Sequence, residues 1–171
     1  MNLEYPYQLA AFLDGEPAIG EPVYYGENGW FPQIALKRRF KLVDIAEEEL
    51  LDKLAAYCGM TPSFTIHTKE LTQPARMPVR VIEVEAAPEL VNFHNKLIAF
   101  LEETILSRYP ERDGDNYLPH VTAEYNRQIV IDYEKYSNRE FLIDKVFLLK
   151  DIKDENSIAY TALSLKGIKN S

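Results

Sequence analysis

The stretch LPHVTAEY, residues 118–125, is the part of the chain from which its fold is interpreted. Side chains of a β-strand point alternately to its two faces. A strand here places His120, Thr122 and Glu124 on one face and puts mostly apolar side chains on the other. An imidazole titrates near neutral pH, and a hydroxyl two positions away can hold the same oxyanion. The stretch is therefore a candidate anion site on a strand.

Residues 32–35, PQIA, repeat the order found in PHVT at residues 119–122. Each stretch has a proline, a polar residue, a β-branched residue and a small residue, and each begins a predicted strand. A two-strand unit follows each of them, over residues 62–86 in one half and 140–166 in the other. Two halves in the same order indicate an internal duplication.

Alternation also assigns two faces to the predicted strand over residues 31–40. One face holds Gln33, Ala35, Lys37 and Arg39, and the other holds Ile34, Leu36, Arg38 and Phe40. On this interpretation only Lys37 and Arg39, from the basic run KRR, can serve one phosphate. A solvated strand end explains the same run equally well.

The rest of the sequence predicts both strands and helices, which indicates the α+β class. Apolar runs predict strands over residues 7–13, 62–69, 78–86, 117–125, 140–150 and 157–166, the last two joined by a turn at 152–156. Helical spacing predicts one helix over about residues 45–57, capped by Asp44, and a second from Pro88 with Ile105 on its stripe. Segment 14–29, rich in Gly and Pro, predicts a loop with a short strand at 22–25. No linker divides the chain, so residues 1–171 are expected to form a single domain of two lobes.

Composition narrows the function classes. The chain has 171 residues, 27 acidic and 19 basic, and a formal charge of −8. Such a surface repels long nucleic acid and anionic membranes. The single cysteine, Cys58, excludes an internal disulfide and a Cys-based metal cluster, which favours a reducing, cytoplasmic location. We expect no metal and no cofactor. Oligomeric state stays open.

LPHVTAEYN, residues 118–126, resembles the second His-x-Thr signature of the 2H phosphoesterases, which include 2′-5′ RNA ligase-like proteins and cyclic phosphodiesterases. FLIDKVFLLKDIKDENSIAYTALSLKG, residues 141–167, is similar to the closing strand pair of that family, and ELVNFHNKL, residues 89–97, to its second-half helix. The resemblance covers about residues 30–168. It implies two pseudo-symmetric lobes of antiparallel sheet, helices packed outside them and a central cleft.

The resemblance also implies roles. In that family one histidine takes a proton from the attacking oxygen, the other protonates the leaving oxygen, and two threonines hold the phosphate. His120 and Thr122 match the second motif, whereas Gln33 and Ala35 occupy the histidine and threonine positions of the first. Glutamine cannot exchange a proton near neutral pH, although its amide can hydrogen-bond a phosphate. Loss of one general acid or base typically costs about 10²–10⁴ in rate.

We therefore expect a cleft for a small phosphodiester or cyclic nucleotide phosphate, with impaired or altered catalysis. The alternative is an inactive relative that binds a ligand or another protein. The resemblance and the strand faces together name catalytic candidates, His120 and Thr122, and ligand-binding candidates, Gln33, Ala35, Lys37, Glu124 and Tyr125.

Two residues are candidates to replace the missing histidine. His67 faces away from the apolar side of its predicted strand, and its alternative role is that of a surface histidine. Glu124 shares a predicted face with His120, and its alternative role is an ion pair with Lys37 or Arg39. His94 lies on the inner stripe of the second predicted helix and is expected to be a hydrogen-bonded core residue.

Overall fold

The computed structural model describes residues 4–15, 23–24, 32–74, 78–125, 128–129, 131–152 and 157–165. Within these residues the chain forms a largely antiparallel sheet with helices, and the predicted α+β class is confirmed. The strands are β1 (Tyr7–Phe12), β2 (Val23–Tyr24), β3 (Gln33–Leu42), β4 (Phe64–Thr72), β5 (Val79–Val84), β6 (Ile105–Ser107), β7 (His120–Tyr125), β8 (Gln128–Ile129), β9 (Glu140–Ile143), β10 (Lys145–Ile152) and β11 (Ser157–Ser164).

The helices are α1 (Glu47–Met60), α2 (Pro88–Leu101) and the short α3 (Tyr133–Tyr136). Two details differ from the prediction. The residue before α1 is Ala46, without a side-chain cap, because Asp44 adopts a positive φ of 51° and lies in the preceding turn. Helix α2 ends at Leu101, since Ile105 pairs with β3 as the first residue of β6. Each described helix is too short or too polar to span a bilayer.

The strand order is β2-β11-β10-β1-β3-β7-β5-β4-β9, with β6 paired to β3 and β8 to β7. The pair β3–β7, called the seam below, divides the sheet into two halves. The two-strand unit after β3 joins the β7 half, and the unit after β7 joins the β3 half. Each two-strand unit thus lies in the half of the sheet opposite the motif strand that precedes it in sequence, and the two motif strands are direct neighbours.

One predicted strand, residues 140–150, is broken at Asp144. Its first part, β9, pairs with β4 at one edge of the sheet, while β10 pairs with β1 and β11 in the other half. The short strand expected within residues 22–25 is present as β2. The rest of segment 14–29 beyond Gly15, and the turn residues 153–156, lie outside the described residues.

The main core lies between one face of the sheet and the helices. Helix α1 contributes Leu50, Leu54 and Cys58 to it, and α2 contributes Leu90, Phe93, Leu97 and Leu101. From the seam, Ile34 and Val121 enter the same core and are fully buried. Burial of each such side chain stabilises the fold by about 1.5–3 kcal/mol. The helices thus cover one face of the seam, and its other face carries the candidate site.

Candidate functional site

The seam places the two motif segments side by side. Ile34 of β3 is opposite Val121 of β7 in an antiparallel pair. Residues directly opposite one another in such a pair share a face. The register therefore sets Ala35 beside His120 and Gln33 beside Thr122 on the face away from the core, and all four are half-buried. The histidine position of each motif thus lies next to the threonine position of the other.

Strand β3 does not keep the predicted alternation beyond Leu36. Its pairing with β1 runs from Ala10–Ala35 to Leu9–Lys37 to Tyr7–Phe40, with irregularities at both steps. Extra residues in one strand of a pair turn the following side chains away from their expected faces. Arg38, which alternation assigns to the face opposite Gln33 and Ala35, consequently reaches the His120 ring. This part of the sequence prediction was wrong.

The Arg38 guanidinium lies against the imidazole of His120. Its Nη2 is 3.1 Å from Nε2 and 3.4 Å from Nδ1. A donor aimed at the lone pair of one ring nitrogen would lie much farther from the other nitrogen. The near-equal distances put Nη2 over the ring or its Cε1 edge, which leaves the Nε2 lone pair free of an aligned donor.

The other nitrogen of His120 fixes the tautomer. Nδ1 is 3.0 Å from the carbonyl oxygen of Leu118, so Nδ1–H donates to it. Nε2 is then the unprotonated nitrogen of the neutral ring. Burial, with the positive charges of Arg38 and Arg112, lowers the pKa of His120 below its usual value. Near neutral pH the ring is therefore a proton acceptor at Nε2.

Arg38 carries a half-buried positive charge. Among the described residues no carboxylate forms an ion pair with it, and its one close polar contact is with the His120 ring. Burial lowers the pKa of Arg38 and Arg112 adds repulsion, although the charge of the nearby Asp113 carboxylate opposes the shift. The neighbouring cations differ in this respect, since Lys37 pairs with Asp113 and Arg39 with Asp151, each at 2.9 Å. A buried charge without a counter-ion is costly unless an anion approaches it.

A loop over residues 109–116 brings Arg112 to this site. Asp113 accepts from Lys37 Nζ at 2.9 Å and from Ser107 Oγ at 3.2 Å. The next residue, Gly114, has a φ of 63° and donates its N–H to His94 Nε2 at 3.1 Å. These two anchors hold the part of the loop that directly follows Arg112. Arg112 also lies over the Tyr109 ring, 4.9 Å from its centroid.

Lys37 and His94 belong to the support of the site. The Lys37 side chain is 1% exposed, and burial lowers its pKa although Asp113 opposes the shift. His94, also 1% exposed, donates from Nδ1 to the Leu36 carbonyl and stacks on Tyr117 at 3.8 Å. The expectation that His94 is a hydrogen-bonded core residue is confirmed. The ammonium of Lys37, predicted to bind a ligand, pairs with the Asp113 carboxylate at 2.9 Å.

Two polar side chains of the seam have unused hydrogen-bonding groups. The Gln33 side-chain oxygen is buried and has no hydrogen-bond partner. The Thr122 hydroxyl, half-buried beside it, makes no hydrogen bond within the described part of the chain. An amide can turn to present either its oxygen or its NH₂ group, and a hydroxyl can donate. Both groups can therefore donate to a phosphate oxygen over the seam.

The remaining candidates lie elsewhere or are not described. Glu124 pairs with Arg80 at 3.3 Å across β5 and β7, next to an irregular step in the register of the two strands. Its expected partners, Lys37 and Arg39, pair with other carboxylates. The His67 ring contacts Glu140 at 3.3 Å, on the far side of β4 from the seam. The Tyr125 side chain lies outside the described residues.

Sequence reasoning missed Arg38 and Arg112. Nothing in the strand pattern signals the irregular pairing that redirects Arg38. For Arg112 a signal exists in the polar loop ERDGDN, where a glycine follows an aspartate in a segment expected to be irregular. Among the described residues no three metal-ligating side chains group together.

Comparison with solved structures identifies the fold. E. coli LigT, in a crystal structure complexed with 3′-AMP, has a TM-score of 0.58 and 18% sequence identity, covering 94% of this chain and 98% of LigT. TT0787 of Thermus thermophilus has a TM-score of 0.59 and 17% identity, covering 95% of this chain and 99% of TT0787. No family model and no curated protein sequence matches the chain. At these identities the likeness is one of fold, and the chain has the fold of the LigT-like 2H phosphoesterases.

Proposed function

We propose that this chain binds a small phosphodiester or nucleotide phosphate over the seam and that two-histidine catalysis there is impaired. One observation carries the proposal. Arg38 is a half-buried cation without a carboxylate partner in the described residues, and it lies against an imidazole on the open face of the sheet. A guanidinium in this position can bind two oxygens of a phosphate with two of its N–H donors.

The neighbouring groups fit the same ligand. Thr122 has a hydroxyl without a partner in the described residues, the Gln33 amide can turn its NH₂ group toward a ligand, and Arg112 adds positive charge near the His120 ring. Ala35, small and without a hydrogen-bonding group, leaves room between β3 and His120. Lys37 and Glu124, predicted as ligand-binding residues, have other partners, and we leave them out of the proposed set.

One protein that shares this fold, LigT, binds ligands of this class. LigT was crystallised with 3′-AMP and, in other crystals, with ATP, NADP⁺ and phosphate. These ligands share phosphate groups, and most share adenosine. The formal charge of −8 on the present chain disfavours long nucleic acid and leaves small phosphates as the preferred partner.

Impaired catalysis follows from the first motif. His120 can accept a proton at Nε2, but Gln33 cannot donate one as a general acid. A cyclic phosphodiester with an alkoxide leaving group needs both steps. Its hydrolysis is expected to be slower by about 10²–10⁴ than with both groups in place.

The test combines binding with turnover. Calorimetric titration with 3′-AMP and with inorganic phosphate is expected to show binding that weakens in Arg38→Ala, with hydrolysis of adenosine 2′,3′-cyclic phosphate slow or absent. The double variant Gln33→His, Ala35→Thr is expected to gain hydrolysis. Absence of binding to either phosphate probe overturns the proposal.

The alternative is a purely ligand-binding or protein-interaction relative, which the loss of both first-motif groups favours. It predicts binding with no turnover in the wild type or in the double variant. A cytoplasmic location, predicted from the single cysteine in the sequence, remains part of the proposal.

A further inference from the structure

We propose that the seam, where it acts as an enzyme, is selective for phosphodiesters whose leaving oxygen departs as a stable anion without a proton. Aryl phosphodiesters of nucleosides are the chemical class that meets this condition. The inference rests on the proposed phosphate site and deepens it, because it names the substrate by its leaving group. It follows from an asymmetry between the two sides of the seam.

The β7 side holds a proton acceptor. His120 donates Nδ1–H to the Leu118 carbonyl, which leaves Nε2 as the basic nitrogen. Arg38 packs on the ring without donating along that lone pair, since its Nη2 is almost equally distant from both nitrogens. The ring can therefore take the proton of an attacking hydroxyl over the seam.

The β3 side lacks a matching proton donor among the residues that the structure describes. Gln33 stands where a second acid would lie, and its neighbour on that face is Ala35. Arg38 holds its protons too strongly to release one near neutral pH. The Tyr117 hydroxyl is committed to the Ala35 carbonyl at 2.9 Å. Tyr109, near enough to Arg38 to interact with its charge, is the remaining phenol to test.

The same side is rich in positive charge. Arg38 and Arg112 lie close enough for the charge of one to affect the other, and both lower the pKa of His120. Fixed positive charge stabilises an oxyanion that forms during reaction. The seam thus offers a leaving oxygen a cationic environment in place of a proton.

The step balances for a nucleoside 3′-aryl phosphate. The ribose 2′-hydroxyl gives its proton to His120 Nε2 while its oxygen bonds to phosphorus. The bond between phosphorus and the aryl oxygen breaks, and that oxygen leaves with the electron pair as a phenolate. The products are a 2′,3′-cyclic phosphate, a phenolate and a protonated His120, which returns its proton to solvent.

The experiment measures kcat/KM for adenosine 3′-aryl phosphates whose phenols span a wide range of pKa, together with adenosine 3′-methyl phosphate. The proteins are wild type, Gln33→His, Gln33→Leu, Tyr109→Phe and His120→Ala. Wild type is expected to cleave the most acidic leaving groups and to lose rate steeply as the phenol becomes less acidic. Gln33→His is expected to accelerate the methyl ester by about 10²–10⁴ relative to the most acidic aryl ester, so that the dependence of rate on leaving-group pKa becomes shallower than in wild type.

Each contrary result is decisive. A shallow dependence on leaving-group pKa in wild type overturns the inference, because it shows that a proton donor is present. Loss of methyl ester cleavage in Tyr109→Phe would identify Tyr109 as that donor and would also overturn the inference. Cleavage that survives in His120→Ala would overturn it too, because His120 is the proposed proton acceptor. Calorimetric titration with 3′-AMP distinguishes failure of this inference from failure of the proposed phosphate site. Binding without cleavage of any aryl ester overturns this inference alone, whereas absence of both overturns the proposed phosphate site.

Discussion

Strands β3 and β7 are neighbours with the same order of residue types at their start, yet they supply the site in different ways. On β7 a regular strand is enough, because His120 and Thr122 reach the open face by simple alternation. On β3 the motif positions hold an amide and a methyl group, and the charged group comes from Arg38 beyond an irregular pairing. On the proposed function, β7 would supply the proton acceptor and β3 would supply positive charge where the resemblance implies a second imidazole.

The two strands also differ in what supports them. The His120 ring is oriented locally, by the Leu118 carbonyl two residues away. The β3 side depends on a distant loop, in which Asp113 holds Lys37 and Gly114 binds His94. The β7 side should therefore tolerate changes in that loop, and the β3 side should not.

The largest effect is expected when the loop support of β3 is removed. Asp113→Ala leaves the Lys37 ammonium buried without its partner, and we expect the free energy of unfolding to fall by about 3–5 kcal/mol. Urea unfolding followed by circular dichroism measures it. Asp115→Ala, an exposed change in the same loop, is the control. The double variant Lys37→Met, Asp113→Ala should recover part of the loss, and a loss below about 1 kcal/mol in the single variant would contradict a buried, paired Lys37.

Next in size is the charge that β3 contributes. Arg38→Ala is expected to weaken binding of 3′-AMP by about 1.5–3 kcal/mol, or roughly 10- to 150-fold in Kd, since it removes charge-assisted hydrogen bonds to phosphate. Isothermal titration calorimetry measures the change. Arg80→Ala removes a cation that already pairs with Glu124 and is the matched control. Equal affinities for the two variants would refute the contrast between β3 and β7.

A smaller effect concerns the imidazole of β7. Burial, Arg38 and Arg112 hold the pKa of His120 below its usual value, so the free ring is neutral near pH 7. A bound anion favours the charged ring and raises that pKa. Affinity for adenosine 2′,3′-cyclic phosphate, whose charge is constant in this range, should therefore rise as pH falls from about 7.5 to 5.5, by less than about tenfold.

Calorimetry at several pH values, in buffers of different ionisation enthalpy, also shows whether protons are taken up on binding. His120→Asn should abolish the dependence. Thermal unfolding at each pH controls for stability, because burial also lowers the pKa of His94 and acidification then favours the unfolded state. An affinity that stays constant with pH in the wild type would place the anion away from β7.

The positions of most strands and of both long helices could be predicted because their signals are local. Alternation marks β5 and β7, and the apolar spacing of α2 from Pro88 marks its buried face. Where a helix begins or ends is also set by neighbouring contacts. Asp44 has the right chemistry for a cap but adopts a left-handed turn, and the end of α2 is fixed by the pairing of Ile105 with β3.

Some residues of the candidate site could be predicted from the sequence, and others could not. His120, Thr122 and Gln33 follow from the motif order on two strands, and the register places them together. Arg38 depends on how β3 pairs with β1, a contact between segments about 25–35 residues apart that alternation cannot encode. The pairing of Lys37 with Asp113 is equally non-local, with the partners 76 positions apart in the sequence. Such contacts are set by the whole sheet.

The smallest expected effect tests whether Glu124 takes part in catalysis. Glu124→Gln breaks a partly exposed pair with Arg80, so the free energy of unfolding should change by about 0–1 kcal/mol. Because Glu124 pairs with Arg80 of the neighbouring strand β5, cleavage of adenosine 3′-aryl phosphates should keep its wild-type rate and its dependence on leaving group. Both are measured on the same preparation. A rate that falls selectively for poor leaving groups would show that β7 supplies the general acid as well as the general base. The assignment of different roles to β3 and β7 would then be wrong.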